Sequence, residues 1–386
     1  MCKSISFISG KGGSGKTTLA LSMASMLSTC GIKTLLIDCD MSTNGATYFH
    51  ENKLSMQKNT ISFYDIIFNE NNKKTNTIKI NDNYDFIPSI TQITKKNNKT
   101  YTHSNNDRII SYYLDWRQRY DVVLFDCQAG YTDILKLILP ITDINLSVME
   151  TDAISSSAMR SLYLKIGDIL NTKKTYQIFS KASKEEYDIY SKVSGGTVFT
   201  NIEIITFDWK IRKAFSVSRI PDMESTSANY GQQVYNICSI LLNDETNQTK
   251  LRIFKNILEL HFLNEQEELL EKEICELKEN YQHKKKKKTK TIYFSVLSFL
   301  IILGGVFVIL AFKTEIFDSI WISTIFSLAF SFVVTIMSTI NIFEFNKEGR
   351  EYEKSIKNNE EKLVNTILDK KRLQNLITEQ KNDSTN

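Results

Sequence analysis

Gly-Lys-Gly-Gly-Ser-Gly-Lys-Thr-Thr, residues 10–18, decides the fold of the amino-terminal part of this 386-residue chain. Gly10, Gly15, Lys16 and Thr17 occupy the fixed places of the phosphate-binding pattern Gly-x4-Gly-Lys-Thr. A short apolar run, residues 5–9, leads into the turn, and residues 18–27 leave it as a helical stretch. A strand that feeds a glycine-rich turn into a helix aims backbone N–H groups and the positive helix end at phosphate oxygens. Glycine at Gly10, Gly12, Gly13 and Gly15 permits the close backbone approach that this needs. Lys16 is then placed to neutralise the β and γ phosphates, and the Thr17 hydroxyl to meet a magnesium ion.

A second lysine, Lys11, stands five residues before Lys16. With it, residues 11–18 resemble the ParA/MinD family of P-loop ATPases at every fixed place of Lys-Gly-Gly-x-Gly-Lys-Thr-Thr. The resemblance implies a nucleotide cradle of Gly10, Lys11, Gly12, Gly13, Ser14, Gly15, Lys16, Thr17 and Thr18. It also implies ATP and Mg2+ as ligands, and a homodimer in which Lys11 of one head reaches the nucleotide of the other.

Two further segments carry acids to the same place. Residues 34–41, Thr-Leu-Leu-Ile-Asp-Cys-Asp-Met, read as a buried strand with Asp38 and Asp40 at its carboxyl end. That is the edge of an open parallel sheet where ligands bind. The stretch is similar to the family's Asp-x-Asp-Pro-Gln-Gly-Asn-x-Thr switch, with Asp40, Asn44 and Thr47 in comparable places and Met41 and Ser42 differing from it. The resemblance gives Asp40 the task of positioning the hydrolytic water beside the metal. Residues 120–130 end an apolar run in Asp126, a Walker B carboxylate for the magnesium shell, and Gly130 supplies the freedom of a γ-phosphate sensor turn.

The likeness continues to about residue 243. Residues 144–150 and 175–180 read as strands and 155–170 as a helix. Residues 219–222, with Pro221 and Asp222, together with 230–234 look like the family's last strand, base-site loop and closing helix. Ser180-Lys181 stands where the family carries an adenine-reading asparagine; ATP is still the favoured nucleotide because no Asn-Lys-x-Asp guanine motif is present. The alternating signals over residues 1–243 predict an α/β head built on a doubly wound parallel sheet. Residues 68–107, rich in Asn, Lys and Thr, read as solvated loops around one strand-like stretch at 84–90.

The last third differs in kind. Over residues 251–283, Ile253, Leu260, Leu263, Leu270, Ile274, Leu277 and Tyr281 mostly alternate three and four apart, a coiled-coil seam interrupted by Glu267. This reads either as a helix packed on the head or as a stalk. Six lysines, at 284–288 and 290, precede the uncharged run 291–312, and a second uncharged run covers 321–343. At 1.5 Å per residue each exceeds a bilayer core of about 30 Å, which predicts a two-helix transmembrane hairpin. The lysines place both chain ends in the cytoplasm, at the inner membrane, and the amino terminus enters a sheet strand directly, with no cleavable leader ahead of it. Ser323, Ser327, Ser331, Thr335 and Thr339 stripe one face of the second run, a close-packing face. The charged tail, 344–386, can fold back on residues 251–281.

The net charge of +4 is modest and no aromatic residues are interleaved with the lysines, which argues against nucleic acid as the partner. The six cysteines show no metal spacing and read as reduced thiols. These features describe a membrane-anchored ATP-hydrolysing switch with an unidentified protein partner. The alternative is a nucleotide-sensing regulator whose hairpin perturbs the membrane in a stress or antiviral system. A tyrosine kinase of the polysaccharide-export kind fits less well, because the hydrophobic runs follow the head and the tail holds only Tyr352.

Overall fold

The computed structural model describes residues 2–57, 59–69, 76–91, 104–193, 199–311 and 317–383. It divides into two units, one of Met1–Phe262 with Asn375–Asn386, the other of Leu263–Gln374.

The described residues of the first unit form one eight-stranded sheet. Its strands are β1 (Lys3–Ile8), β2 (Thr34–Asp38), β3 (Ile78–Asn81), β4 (Tyr84–Ile87), β5 (Val122–Asp126), β6 (Ile144–Met149), β7 (Lys174–Ser180) and β8 (Thr200–Ile205). Across the sheet they run β3-β4-β2-β5-β1-β6-β7-β8. Every pairing is parallel except β3 with β4. A parallel sheet must be covered on both faces, and its central strands β2, β5 and β6 are buried at every residue. In β5, Val122 and Leu124 join the core under helices Lys16–Thr29 and Ala228–Leu241. Val123 and Phe125 join the opposite core, under helices Ser104–Arg119 and Ala153–Asn171. Trp116 and Phe125 meet in that second core, with ring centroids 6.4 Å apart. The doubly wound parallel sheet expected from the sequence is therefore present, with β1 and its glycine-rich turn near the middle.

Three local expectations are corrected. The stretch 68–107 holds an edge hairpin as well as loops, because β3 pairs antiparallel with β4. Its alternation was masked by Lys79 and Asn81 on the exposed side, the charged and polar guard typical of an edge strand. The last strand is β8, not residues 219–222; β8 is only partly covered and so lacks a continuous apolar run. The helix expected over 251–283 starts earlier and runs on, as one helix Glu245–Ala311. Its first turns pack on the head: Leu251, Phe254 and Leu258 are buried in the core, and a Cβ on Gly231 would stand 2.7 Å from Leu258 Cδ1.

In the second unit this helix lies antiparallel to helix Phe317–Asp383. The direction follows from pairs whose numbers run oppositely: Lys370–Glu267 at 2.6 Å, Lys278–Glu360 at 2.8 Å and Lys284–Glu348 at 3.0 Å. Ile274 is buried, and the Tyr281 and Tyr352 rings sit 6.2 Å apart. The tail thus folds back along the 263–284 helix, as expected. Among the described residues no helix is long and apolar enough to cross a membrane. The run 321–343, with the hydroxyl stripe from Ser323 to Thr339, and most of the run 291–312 lie outside the residues whose side chains are described. The transmembrane hairpin accordingly gains no support from the structure.

Candidate functional site

The turn after β1 is shaped by three glycines for two different reasons. Gly13 and Gly15 take left-handed backbone angles, φ +80° and +89°, which disfavour a side chain. Gly10 is needed for space instead: an added Cβ would lie 2.3 Å from the Ala158 carbonyl carbon, where helix Ala153–Asn171 presses on the loop. Lys16 opens helix Lys16–Thr29 and turns its ammonium inward, donating to Ser9 Oγ at 2.8 Å. Ser9 Oγ in turn donates to the Lys11 carbonyl at 2.8 Å, so the loop arches over its own lysine. Burial lowers the Lys16 pKa, and the nearby Asp126 carboxylate opposes that shift. The Ser14 hydroxyl is buried in the same loop with no hydrogen-bond partner.

Two carboxylates end adjacent strands at the same sheet edge, and Asp126 is the one beside this lysine. Asp38 ends β2 and Asp126 ends β5, and the two are direct register partners. Both are fully buried. Asp38 is tied down: its oxygens accept from the Asp40 N–H at 3.0 Å, and from the Thr47 N–H and hydroxyl at 2.8 Å each. Neither oxygen of Asp126 has a partner of ordinary geometry. Burial pushes its pKa up to about 6, opposed by the Lys16 ammonium and by the Thr17 hydroxyl, which stands near without closing a well-formed bond. Burial, and then repulsion from Asp126, pushes Asp38 up to about 7. The sequence placed Asp38 at the ligand-binding edge of the sheet but, of this pair, assigned only Asp126 to the magnesium shell. The pairing of two apolar strands that each end in aspartate was the signal for the second acid.

These donors fit a magnesium ion held together with a triphosphate. An orphaned buried carboxylate and a threonine hydroxyl are hard oxygen ligands, and magnesium keeps waters and phosphate oxygens for the rest of its shell. Among the described residues no group of three or more His, Cys, Asp or Glu side chains forms a metal cage, which such a shared shell does not require. Gly45 brings the segment after β2 against Thr17, a Cβ there being 3.4 Å from Thr17 Cγ2.

Asp40 is placed at the same edge but is engaged with its own loop. Its Oδ1 accepts from the Ser42 N–H, the Ser42 hydroxyl and the Thr43 N–H, at 3.0, 2.7 and 3.0 Å, and its Oδ2 from the Thr43 hydroxyl at 2.7 Å. Burial alone would raise its pKa, yet these bonds outweigh it and the pKa is lowered. Lys11, expected to act across a dimer interface, pairs within its own head, with Asp152 at 3.2 Å and Glu150 at 3.3 Å. Gly130 has φ +77° and donates its N–H to the Ser9 carbonyl at 2.8 Å, which ties the Walker B turn to the loop.

Beyond the phosphate end the glycine-rich turn opens into a cavity of about 410 Å³. Thr17 and Thr18 line its near end, and Val148, Ile205, Phe207 and Phe215 its far end. Pro221 and Asp222 do not line it. Asp222 instead accepts from the Glu224 and Ser225 N–H groups and pairs with Arg219. Most of the apolar lining comes from the end of β8 and the segment after it, which the sequence reading passed over because β8 itself was not seen.

The raised acids set a pH dependence. Asp38 and Asp126 hold protons in the folded head that an unfolded chain releases near pH 4. The stability contributed by their protonated forms is therefore complete below about pH 4 and is lost as pH rises through about 6 to 7. Asp126→Asn should flatten the fall in melting temperature of the nucleotide-free protein between pH 4 and 8. Parallel profiles for the variant and the wild type would contradict the assignment.

Residues 2–178 match the model of a family described as an AAA domain. No match was found among curated proteins. A solved structure from Borrelia burgdorferi B31, described as a plasmid partition protein bound to AMPPNP, is 19% identical, covers 63% of this chain and 99% of its own, and has a TM-score of 0.51. The MinC:MinD cell division complex of Aquifex aeolicus is 17% identical over 63% of this chain and 97% of that one, with a TM-score of 0.49. MinD complexed with Mg-ADP from Pyrococcus horikoshii OT3 is 16% identical over 65% and 99%, with a TM-score of 0.48. The head of this chain accordingly shares its fold with the plasmid partition structure.

Proposed function

We propose that the chain is a membrane-anchored switch whose head binds ATP with Mg2+, pairs with the head of a second copy and separates after slow hydrolysis. The observation that carries this reading is the Asp126 carboxylate, buried and without a hydrogen-bond partner, beside Lys16 and Thr17 at a glycine-rich turn. Backbone N–H groups of the turn orient the phosphates, and Lys16 neutralises their charge. Thr17 and Asp126 hold the metal, directly or through water, and the metal supplies further neutralisation of charge on the transferring phosphoryl group. Asp40 positions the attacking water: its Oδ2 takes one loop bond where Oδ1 takes three, which leaves it lone-pair capacity. The AMPPNP held by the similar plasmid partition structure supports a nucleotide of this kind.

Lys11 is the proposed contact across the dimer. It must first leave Glu150 and Asp152, and solvent-exposed ion pairs such as these are weak. Pairing of heads on a triphosphate can therefore outbid them. The membrane part of the reading rests on hydropathy. Support in the second unit comes from Tyr293, Phe294, Val296 and Ile301, large apolar side chains that are exposed just after the lysine run. Exposed apolar surface next to a basic cluster suits a lipid interface.

Three variants of the full chain test the head. Lys16→Ala should bind no ATP. Asp40→Ala should bind ATP but turn it over at least tenfold more slowly, and an unchanged rate would remove Asp40 from the mechanism. Glu150→Gln combined with Asp152→Asn should shift ATP-dependent dimerisation, read by sedimentation, to lower protein concentration; no shift would mean that Lys11 does not act in trans. For the membrane, the full chain should float with liposomes after an alkaline carbonate wash. Release into the wash would contradict permanent anchoring.

A further inference from the structure

We propose that Ser89, just past the end of β4, is a positioning residue for hydrolysis: through Asn44 and Thr47 it fixes the loop that carries Asp40. This rests on the nucleotide reading given above and adds to it a residue outside the cavity lining.

Strand β4 lies parallel to β2, with Ile87 as register partner of Ile37, so the chain just beyond it runs beside the end of β2. Ser89 is fully buried there. Its main chain is held from two sides, the N–H donating to Thr47 Oγ1 at 2.9 Å and the carbonyl accepting from the Tyr64 N–H at 2.9 Å. The Pro88 carbonyl accepts from the Phe63 N–H at 2.8 Å. Phe63 and Tyr64 open helix Phe63–Phe68, whose start is closed by a reciprocal capping box between Ser62 and Asp65. This end of the strand is therefore a fixed post. From it the Ser89 hydroxyl donates to Asn44 Oδ1 at 2.7 Å and stands 2.9 Å from the Thr47 hydroxyl oxygen. Thr47 in turn holds Asp38 through its N–H and hydroxyl.

The Asp40 loop needs such a post. The four bonds that Asp40 accepts come from Ser42 and Thr43, so they shape the loop without fixing it to the sheet. Its ties to the sheet lie at its two ends. In front, the Asp40 N–H donates to Asp38 at 3.0 Å. Behind, the Asn44 N–H returns to the Asp40 carbonyl at 3.0 Å while the Asn44 side chain accepts from Ser89. Asn44 has φ +54°, a left-handed conformation that asparagine visits and that surrounding contacts must select. Phosphate binding draws on the glycine-rich turn and Lys16, whereas the attacking water is placed by Asp40. Loss of the Ser89 hydroxyl thus leaves the nucleotide held and the water misplaced, and a misplacement of about 1 Å costs about 10²-fold in rate.

The experiment measures mant-ATP affinity and single-turnover ATP hydrolysis on the full chain with Mg2+. Ser89→Ala should slow hydrolysis by about tenfold or more while the dissociation constant stays within about threefold of wild type. Added to Asp40→Ala, it should change the residual rate by less than about twofold, because the hydroxyl acts through Asp40. A contact that merely stabilises the fold would slow both backgrounds alike. Asn44→Gly, which keeps the backbone angle accessible and removes the acceptor, should give the same three results and decides the matter if Ser89→Ala does not fold. A smaller loss of rate, a larger loss of affinity, or a further loss in the Asp40→Ala background overturns the proposal. A wild type that binds ATP without turning it over overturns it too. If the wild type binds no nucleotide, the nucleotide reading itself fails and takes this inference with it, an outcome distinct from a Ser89→Ala chain that binds and hydrolyses as wild type does.

Discussion

Two carboxylates side by side in a dry sheet edge are the constraint from which the rest of the head follows. Asp38 and Asp126 end neighbouring parallel strands in register, both fully buried, with Lys16 as the cation that faces Asp126. Like charges at neighbouring strand positions resist joint ionisation, and one lysine offsets one of them. The protein answers half of the problem with hydrogen bonds, since Asp38 is held by Thr47 and by the Asp40 N–H. The other half is left open at Asp126, where an incoming divalent cation is electrostatically most favoured. A stability cost carried by the empty head thus becomes binding energy for a charged ligand.

The loop that must receive that ligand is braced from every side. Helix Ala153–Asn171 fixes it at Gly10, Gly130 ties its root to the Walker B turn, and Ser180 and Lys181 hold its outer carbonyls. Preorganisation of this sort lets backbone N–H groups point at phosphates without reordering the chain on binding. Glu150 joins the arrangement twice, through Lys181 and through Lys11. Release of Lys11 from Glu150 would therefore be felt by the strap on the loop itself.

The fold of the head was legible because it rests on local signals: the glycine pattern, two apolar runs ending in aspartate, and helix periodicity between them. Residues 16 and 17 needed no tertiary information. What was hidden depends on packing across the sheet. Asp38 was placed at the ligand edge without a partner until the register set it against Asp126, and β3 and β8 escaped notice because they are edge strands, partly exposed and rich in polar residues. The apolar lining of the cavity was missed with β8, and Pro221 and Asp222 were expected in its place. The partners of Lys11 could not be read either, since Glu150 and Asp152 lie more than a hundred residues away in sequence. The long helix was seen in part: its apolar positions were clear, but the early ones serve the head and the later ones serve the antiparallel pair.

The central claim is that the open carboxylate at Asp126 is a place for a divalent cation brought with a nucleotide. Calorimetric titration of the full chain with ATP at pH 8, in magnesium and then in excess EDTA, tests it most directly. The account predicts that binding weakens at least tenfold when magnesium is removed from the wild type, and that Asp126→Asn loses most of this difference. Equal affinity with and without the metal would contradict it.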